Sequence, residues 1–199
     1  PETPLFHKSD VLYNYNAARA DAAKSGAPLL VCEGYMDVIA LHGAGFRTAV
    51  APLGTALTEA QLQLLWRQSD EPILCFDGDK AGLAAAHRAV DRALPLLKPG
   101  KSLRFAFLPD GQDPDDVIRR GGAGAFAALI AKPESLADAL WARETAARPL
   151  DTPERRAALR AGLRTLIRGI ADKDVRSAYG ADMAGRLQRM YAPTAPAYA

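Results

Sequence analysis

Four short, near-continuous apolar runs recur along the first half of the chain, and each is followed by a segment long enough to cross back over a sheet. Leu29–Cys32 is bounded by Pro28 and Gly34, and Thr48–Leu53 is stopped at Gly54. Ile73–Phe76 and Leu103–Leu108 complete the set. Runs without polar alternation read as strands covered on both faces. Between them lie Met36–His42, ended by Gly43-Ala44-Gly45, then TEAQLQLLWRQ, then the apolar periodicity of Leu83–Leu97. Thr58 with Gln61 three residues on forms a capping box that opens the second of these helices. Strands alternating with crossover helices predict an α/β fold, with a mainly parallel sheet and helices on both faces.

Beyond about residue 131 no further strand is predicted. Glu134–Ala147, Pro153–Ile170 and Asp174–Tyr191 read as three helices, the second with an apolar stripe at Leu159, Leu163, Leu166 and Ile170. A small helical bundle is the simplest packing for them. Ser9–Lys24 reads as a further helix with Ser9 as its N-cap, and the tail APTAPAYA as frayed. The expected organisation is an entry segment and helix over 1–26, an α/β domain over 27–131 and a C-terminal helical subdomain over 132–199.

Acidic residues fall where this topology brings chain segments together. Glu33 follows the first strand and Asp37 lies just inside the next helix. Asp77 and Asp79 follow the third strand, in ILCFDGDKAG. Asp113, Asp115 and Asp116 follow the fourth, in LPDGQDPDDVI. Ligands of open sheets gather outside the carboxyl ends of the strands, so these acids are expected on one rim. Two carboxylates about 4 Å apart repel by roughly 4 kcal/mol at an effective dielectric near 20. Such groups share protons or hold cations. Oxygen donors without His or Cys suit magnesium or manganese, and a pair of such ions suits phosphoryl transfer. Taken singly, Asp-Gly is a common turn, and Asp115-Asp116 suits a helix N-terminus.

The remaining features exclude more than they assert. A net charge of +2 is too weak to imply a nucleic-acid partner. No apolar stretch reaches the roughly 18 residues of a membrane span. Cys32 and Cys75 lie inside apolar runs and read as buried free thiols of a cytoplasmic protein. Arg156, Arg160, Arg164 and Arg168 mark one basic helix face, read first as a solvated surface. His7, His42 and His87 read as packing or surface residues, and Trp66 and Trp141 as helix core positions. The chain opens on Pro1 rather than Met, which reads as a piece of a longer protein.

EGYMDVIALH, APLGTALT, CFDGDKAG and FLPDGQDPDD, in this order, resemble the Toprim region of bacterial DnaG-type primases, and the opening PETPLFHKS resembles the stretch before it. The likeness covers roughly Pro1 to Gly122, and the helical remainder is compatible with the end of the family's RNA polymerase domain. It implies RNA primer synthesis from ribonucleoside triphosphates on a single-stranded DNA template during replication, with two or more magnesium or manganese ions. Glu33 then matches the family's candidate catalytic acid/base, with Asp77 and Asp79 beside it in catalysis. Glu33, Asp37, Asp77, Asp79, Asp113 and Asp115 match its metal positions. Lys8 matches a lysine that lies near template or nucleotide phosphate. The family's zinc-binding domain, the first portion of its polymerase domain and its helicase-binding domain have no counterpart in this chain, so the replicative helicase would be met through an absent part. A monomer without membrane contact is expected. Three alternatives stay open: a Toprim-type metal-dependent nuclease, a phosphatase with Asp77 as nucleophile, and a non-catalytic binding module.

Overall fold

The computed structural model describes residues 7–54 and 56–191. The PETPLF part of the opening motif, Thr55 of APLGTALT and the APTAPAYA tail lie outside the described residues.

Five strands form one sheet in the order β2-β1-β3-β4-β5. They are β1 (Leu30–Val31), β2 (Ala49–Val50), β3 (Ile73–Gly78), β4 (Arg104–Asp110) and β5 (Glu134–Ser135). The first three pairings are parallel, and β5 adds to β4 in the antiparallel sense. The strands alternate their side chains between two cores. Val31, Val50, Leu74, Phe76 and Phe105 face one, and Leu30, Cys32, Ala49, Ile73, Cys75, Ala106 and Leu108 face the other. That alternation, apolar on both sides, is why the strands read as near-continuous apolar runs. Both thiols are buried and free.

Helices α1 (Tyr15–Ser25), α3 (Glu59–Gln68) and α4 (Lys80–Ala93) cover the first face. Helices α2 (Tyr35–Gly43) and α5 (Pro114–Ile130) cover the second, through Val38, Leu41, Val117 and Phe126. The three remaining helices are α6 (Leu136–Ala146), α7 (Pro153–Arg168) and α8 (Lys173–Tyr191). Their buried residues Leu140, Leu163, Ile167, Met183 and Leu187 belong to the same contiguous core as Leu74 and Phe76. On α7 the buried stripe is Leu159, Leu163 and Ile167, with Ile170 buried just past the helix and Leu166 half-buried.

Three local expectations are corrected. Strands do not stop at residue 131, because Glu134–Ser135 pairs with Phe105 and Arg104. A two-residue strand carries too little pattern to be read, and Ser135 doubles as the N-cap of α6 in a capping box with Asp138. Ser9 does not cap a helix. Lys8–Asp10 is a single 3-10 turn, and α1 starts after Asn14, which takes a left-handed conformation (φ 62°) and donates to the carbonyl of Ala49 at 3.0 Å. Tyr13 instead bridges Ala51 at the sheet edge. Helix α4 begins at Lys80, three residues before its first large apolar side chain, because Asp79 caps it.

The capping box at Thr58 forms as expected and also ties the entry segment down. Gln61 is fully buried and donates to the carbonyls of Lys8 (3.1 Å) and Val11 (2.8 Å) while accepting from the Thr58 N–H (2.9 Å). Thr58 Oγ1 donates to the Ser9 carbonyl at 2.6 Å. No helix among the described residues is long and apolar enough to cross a membrane.

Candidate functional site: a carboxylate rim at the strand ends

The rim is built where β1, β3 and β4 end. β3 and β4 continue past their apolar runs, and Gly78 pairs with Asp110 across a register shift. Gly78 is needed there because a Cβ would stand 1.9 Å from the Pro109 carbonyl oxygen. Gly82 is needed one turn later, where a Cβ would meet the Asp77 carbonyl oxygen at 2.3 Å. The start of α4 therefore packs directly on the backbone of β3. That contact holds Asp77 and Asp79 at the rim.

Three of the acids are fixed by helix starts. Asp79 Oδ1 accepts from the Gly82 N–H at 2.7 Å, and Asp113 Oδ1 accepts from the Asp116 N–H at 2.7 Å. Asp37, at the third position of α2, accepts from the Gly34 N–H at 3.1 Å through Oδ2. Each carboxylate satisfies an amide that has no partner inside its helix. Asp115 and Asp116 lie in the first turn of α5 and pair with Arg119, so their suitability for a helix N-terminus and their place at the rim coexist.

Glu33 and Asp77 form the centre. Glu33 Oε1 accepts from the backbone N–H of Asp77 at 3.3 Å. Asp77 Oδ1 is buried and finds no donor among the described residues. Burial pushes the Asp77 carboxyl up to about 7, helped by the negative charge of Glu33, Asp37, Asp113 and Asp79. Asp37 is pushed up to about 6, mainly by burial, against the lowering effect of the Gly34 N–H and with Asp113 and Asp115 adding repulsion. These mutual influences place Glu33, Asp37, Asp77, Asp79, Asp113 and Asp115 in one electrostatic neighbourhood.

Among the described residues, no three carboxylate, imidazole or thiol groups already stand close enough to hold a metal ion. The rim is a concentration of oxygen donors, of which Asp115 pairs with Arg119, rather than a closed cage. An orphaned buried carboxylate oxygen, a donor set of oxygens alone and two acids raised by burial among other acids fit a hard divalent cation. Lys8 lies in the 3-10 turn against α3, and its ammonium pairs with no carboxylate among the described residues.

Sequence reasoning missed the two glycines and a cleft of about 280 Å³ behind Glu33. The cleft lies between the β1 and β3 ends and α4, with Arg88 and Arg92 on its wall. Arg92 donates to the carbonyl of Leu57. The spacing of Gly82 from Asp77 and Asp79 was the available signal, since a glycine one turn into a helix points to a close backbone approach.

Residues 27–106 match the family model of the Toprim domain. The DNA primase of Rickettsia felis is 45% identical over 179 residues, which is 90% of this chain. The chain spans 30% of the length of that relative. It superposes on a DnaG catalytic core with a TM-score of 0.86 and 40% identity, covering 96% of this chain and 61% of that one. A second solved structure, a DnaG primase catalytic domain bound to single-stranded DNA, matches with a TM-score of 0.83 and 40% identity, over 93% of this chain and 59% of the other.

Proposed function

The chain belongs with the DnaG-type primases, carrying the Toprim region and the following helical part of their catalytic core, and from that premise we propose that its carboxylate rim is the nucleotidyl-transfer centre of RNA primer synthesis. The substrates are ribonucleoside triphosphates and a single-stranded DNA template, the product is a short RNA primer, and the setting is cytoplasmic DNA replication. The replicative helicase is a partner of the longer protein.

Asp77, Asp79, Asp113 and Asp115 would hold magnesium or manganese, with Asp37 and Glu33 completing the set. Bound divalent cations supply charge neutralisation at the triphosphate and stabilise the attacking and leaving oxygens. The side chains of this chain do the rest. Asp79 and Asp113 keep their positions through the helix starts they cap. Glu33, anchored on the Asp77 N–H, assists removal of the proton from the attacking 3′-hydroxyl. Lys8 serves template or nucleotide phosphate from the entry segment. Positioning and electrostatics thus carry the catalysis, and no covalent intermediate on Asp77 is required.

The observation that supports this reading best is Asp77: a carboxylate with one buried oxygen unpartnered among the described residues, pushed up to about 7 first by burial and then by Glu33, Asp37, Asp113 and Asp79. Its test is Asp77→Asn/Asp79→Asn. In the longer primase chain that includes the rest of the core, the double variant should lose template-directed synthesis by at least about a hundredfold. In the 199-residue chain, calorimetry should lose saturable manganese binding while circular dichroism stays unchanged. Retained synthesis, or manganese binding equal to the native chain, refutes the assignment. Cleavage of the template in place of extension would hand the same rim to a nuclease.

A further inference from the structure

Helix α7 holds five arginines against one glutamate, a surplus of four, while the whole chain carries only +2. Arg155 pairs with Asp151, and Arg156 donates to the Leu150 carbonyl. Arg160, Arg164 and Arg168 are exposed at intervals of four, and none pairs with a carboxylate among the described residues. Their row spans about 12 Å, or about two helical turns. It borders a groove of about 790 Å³ between α7 and α8, which Arg176 of α8 also lines. Between these charges the groove surface is mostly carbon, from Leu163, Ile167, Met183, Ala184 and Leu187. No acidic residue lines it. Met190 follows Met183 at heptad spacing on the same side of α8 and is 43% exposed, so it adds apolar surface there.

We propose that this groove docks a short amphipathic helix of a separate protein, apolar along one ridge and acidic along its flanks. Apolar anchors spaced i, i+4, i+7 fit the furrow between two helices, and about two turns of helix match the length of the arginine row. Carboxylates on the flanks meet the arginines, whose forked donors hold a carboxylate by two bonds. A polynucleotide has the charge but no apolar ridge. The aromatic ring of the groove is already engaged, because Tyr191 lies 5.0 Å from the Arg156 guanidinium and its hydroxyl is buried. A second copy docking by a two-fold axis would set the arginines of one protomer against those of the other. The residues after Tyr191, APTAPAYA, hold no Asp or Glu, so the adjoining chain does not supply the acidic flanks. The inference is independent of the nucleotidyl-transfer reading, since none of the rim acids takes part.

The test selects random dodecapeptides, displayed on phage, against the immobilised 199-residue chain, and measures the enriched peptide by fluorescence anisotropy. The enriched sequences should carry net negative charge with apolar residues at helical spacing. Ala184→Trp fills the groove from an exposed position and should weaken binding by about tenfold or more. Arg160→Gln/Arg164→Gln/Arg168→Gln should weaken it as much and remove most of its salt dependence. Asp77→Asn/Asp79→Asn should bind the peptide as the native chain does, which separates this result from the fate of the rim. Circular dichroism of both groove variants should match the native chain. No enrichment, or peptides without an acidic excess, overturns the proposal, as does unchanged affinity in Ala184→Trp with native helicity. Binding of oligothymidylate that needs the three arginines but survives Ala184→Trp gives the row to a polynucleotide instead. Concentration-dependent dimers that vanish in Ala184→Trp give the groove to a second copy. A peptide that binds the 199-residue chain but not the longer primase chain shows the groove to be filled from within, and equally overturns it.

Discussion

The two ends of this molecule treat the same side chain in opposite ways. At the rim, Asp37 and Asp77 are pushed up by burial and by acidic neighbours. In the helical part, Asp138 is held below the usual carboxylate range by Ser135 and by Arg186. Arg186 lies 2.7 Å from Asp138 and 2.8 Å from Asp182, tying α6 to α8. Arg143 of α6 likewise reaches Asp91 of α4 at 2.6 Å. At the α6–α8 seam each aspartate meets an arginine. The rim instead leaves like charges facing each other, the arrangement found where functional sites shift pKa values.

The contrast can be attacked first through backbone packing. Gly82→Ala should cost about 3 kcal/mol or more in urea unfolding, because the new methyl meets the backbone of Asp77. Gly180→Ala, in α8 with open space around it, should instead be neutral or stabilise by up to about 1 kcal/mol. Equal effects at the two sites would show that the rim is no more tightly built than the helical end.

Second comes the response to cations. Manganese at about a hundredfold excess over its Kd should stabilise the native chain by about 2–3 kcal/mol in thermal melts. Asp77→Asn/Asp79→Asn should show no such gain, whereas Asp138→Asn should keep all of it. A gain that survives in the rim variant would move the receiving region elsewhere.

The smallest effect lies at the ion-paired end. Asp138→Asn should cost about 0.5–1 kcal/mol at neutral pH, discounted for the partial exposure of the pair. A carboxylate whose folded pKa is depressed stabilises above its unfolded value near 4, and that contribution is lost as pH falls through the folded value. The gap between native chain and variant should therefore close in acid. A gap that stays constant with pH would mean that shape, not charge, holds α6 to α8.

Much of this contrast was legible in the residues. Near-continuous apolar runs gave β1, β3 and β4 because each strand is covered on both faces. The acids of EGYMD, DGD and DPDD were legible because strand ends in a parallel sheet share an edge. What escaped was decided by partners distant in sequence. β5 exists because β4 offers an open edge, and α1 starts at Asn14 because Ala49 supplies a carbonyl for it. Gly78 and Gly82 look like turn residues until Pro109 and Asp77 are seen above them. The arginine row was visible as a pattern, but its lack of carboxylate partners was not.

Asp79 and Asp113 each commit one oxygen to a helix start and keep the other. A small octahedral ion, content with a single oxygen from each carboxylate, can be served without disturbing either helix. On the proposed metal reading, each of these two carboxylates would offer one free oxygen to an ion while the helix start keeps the other.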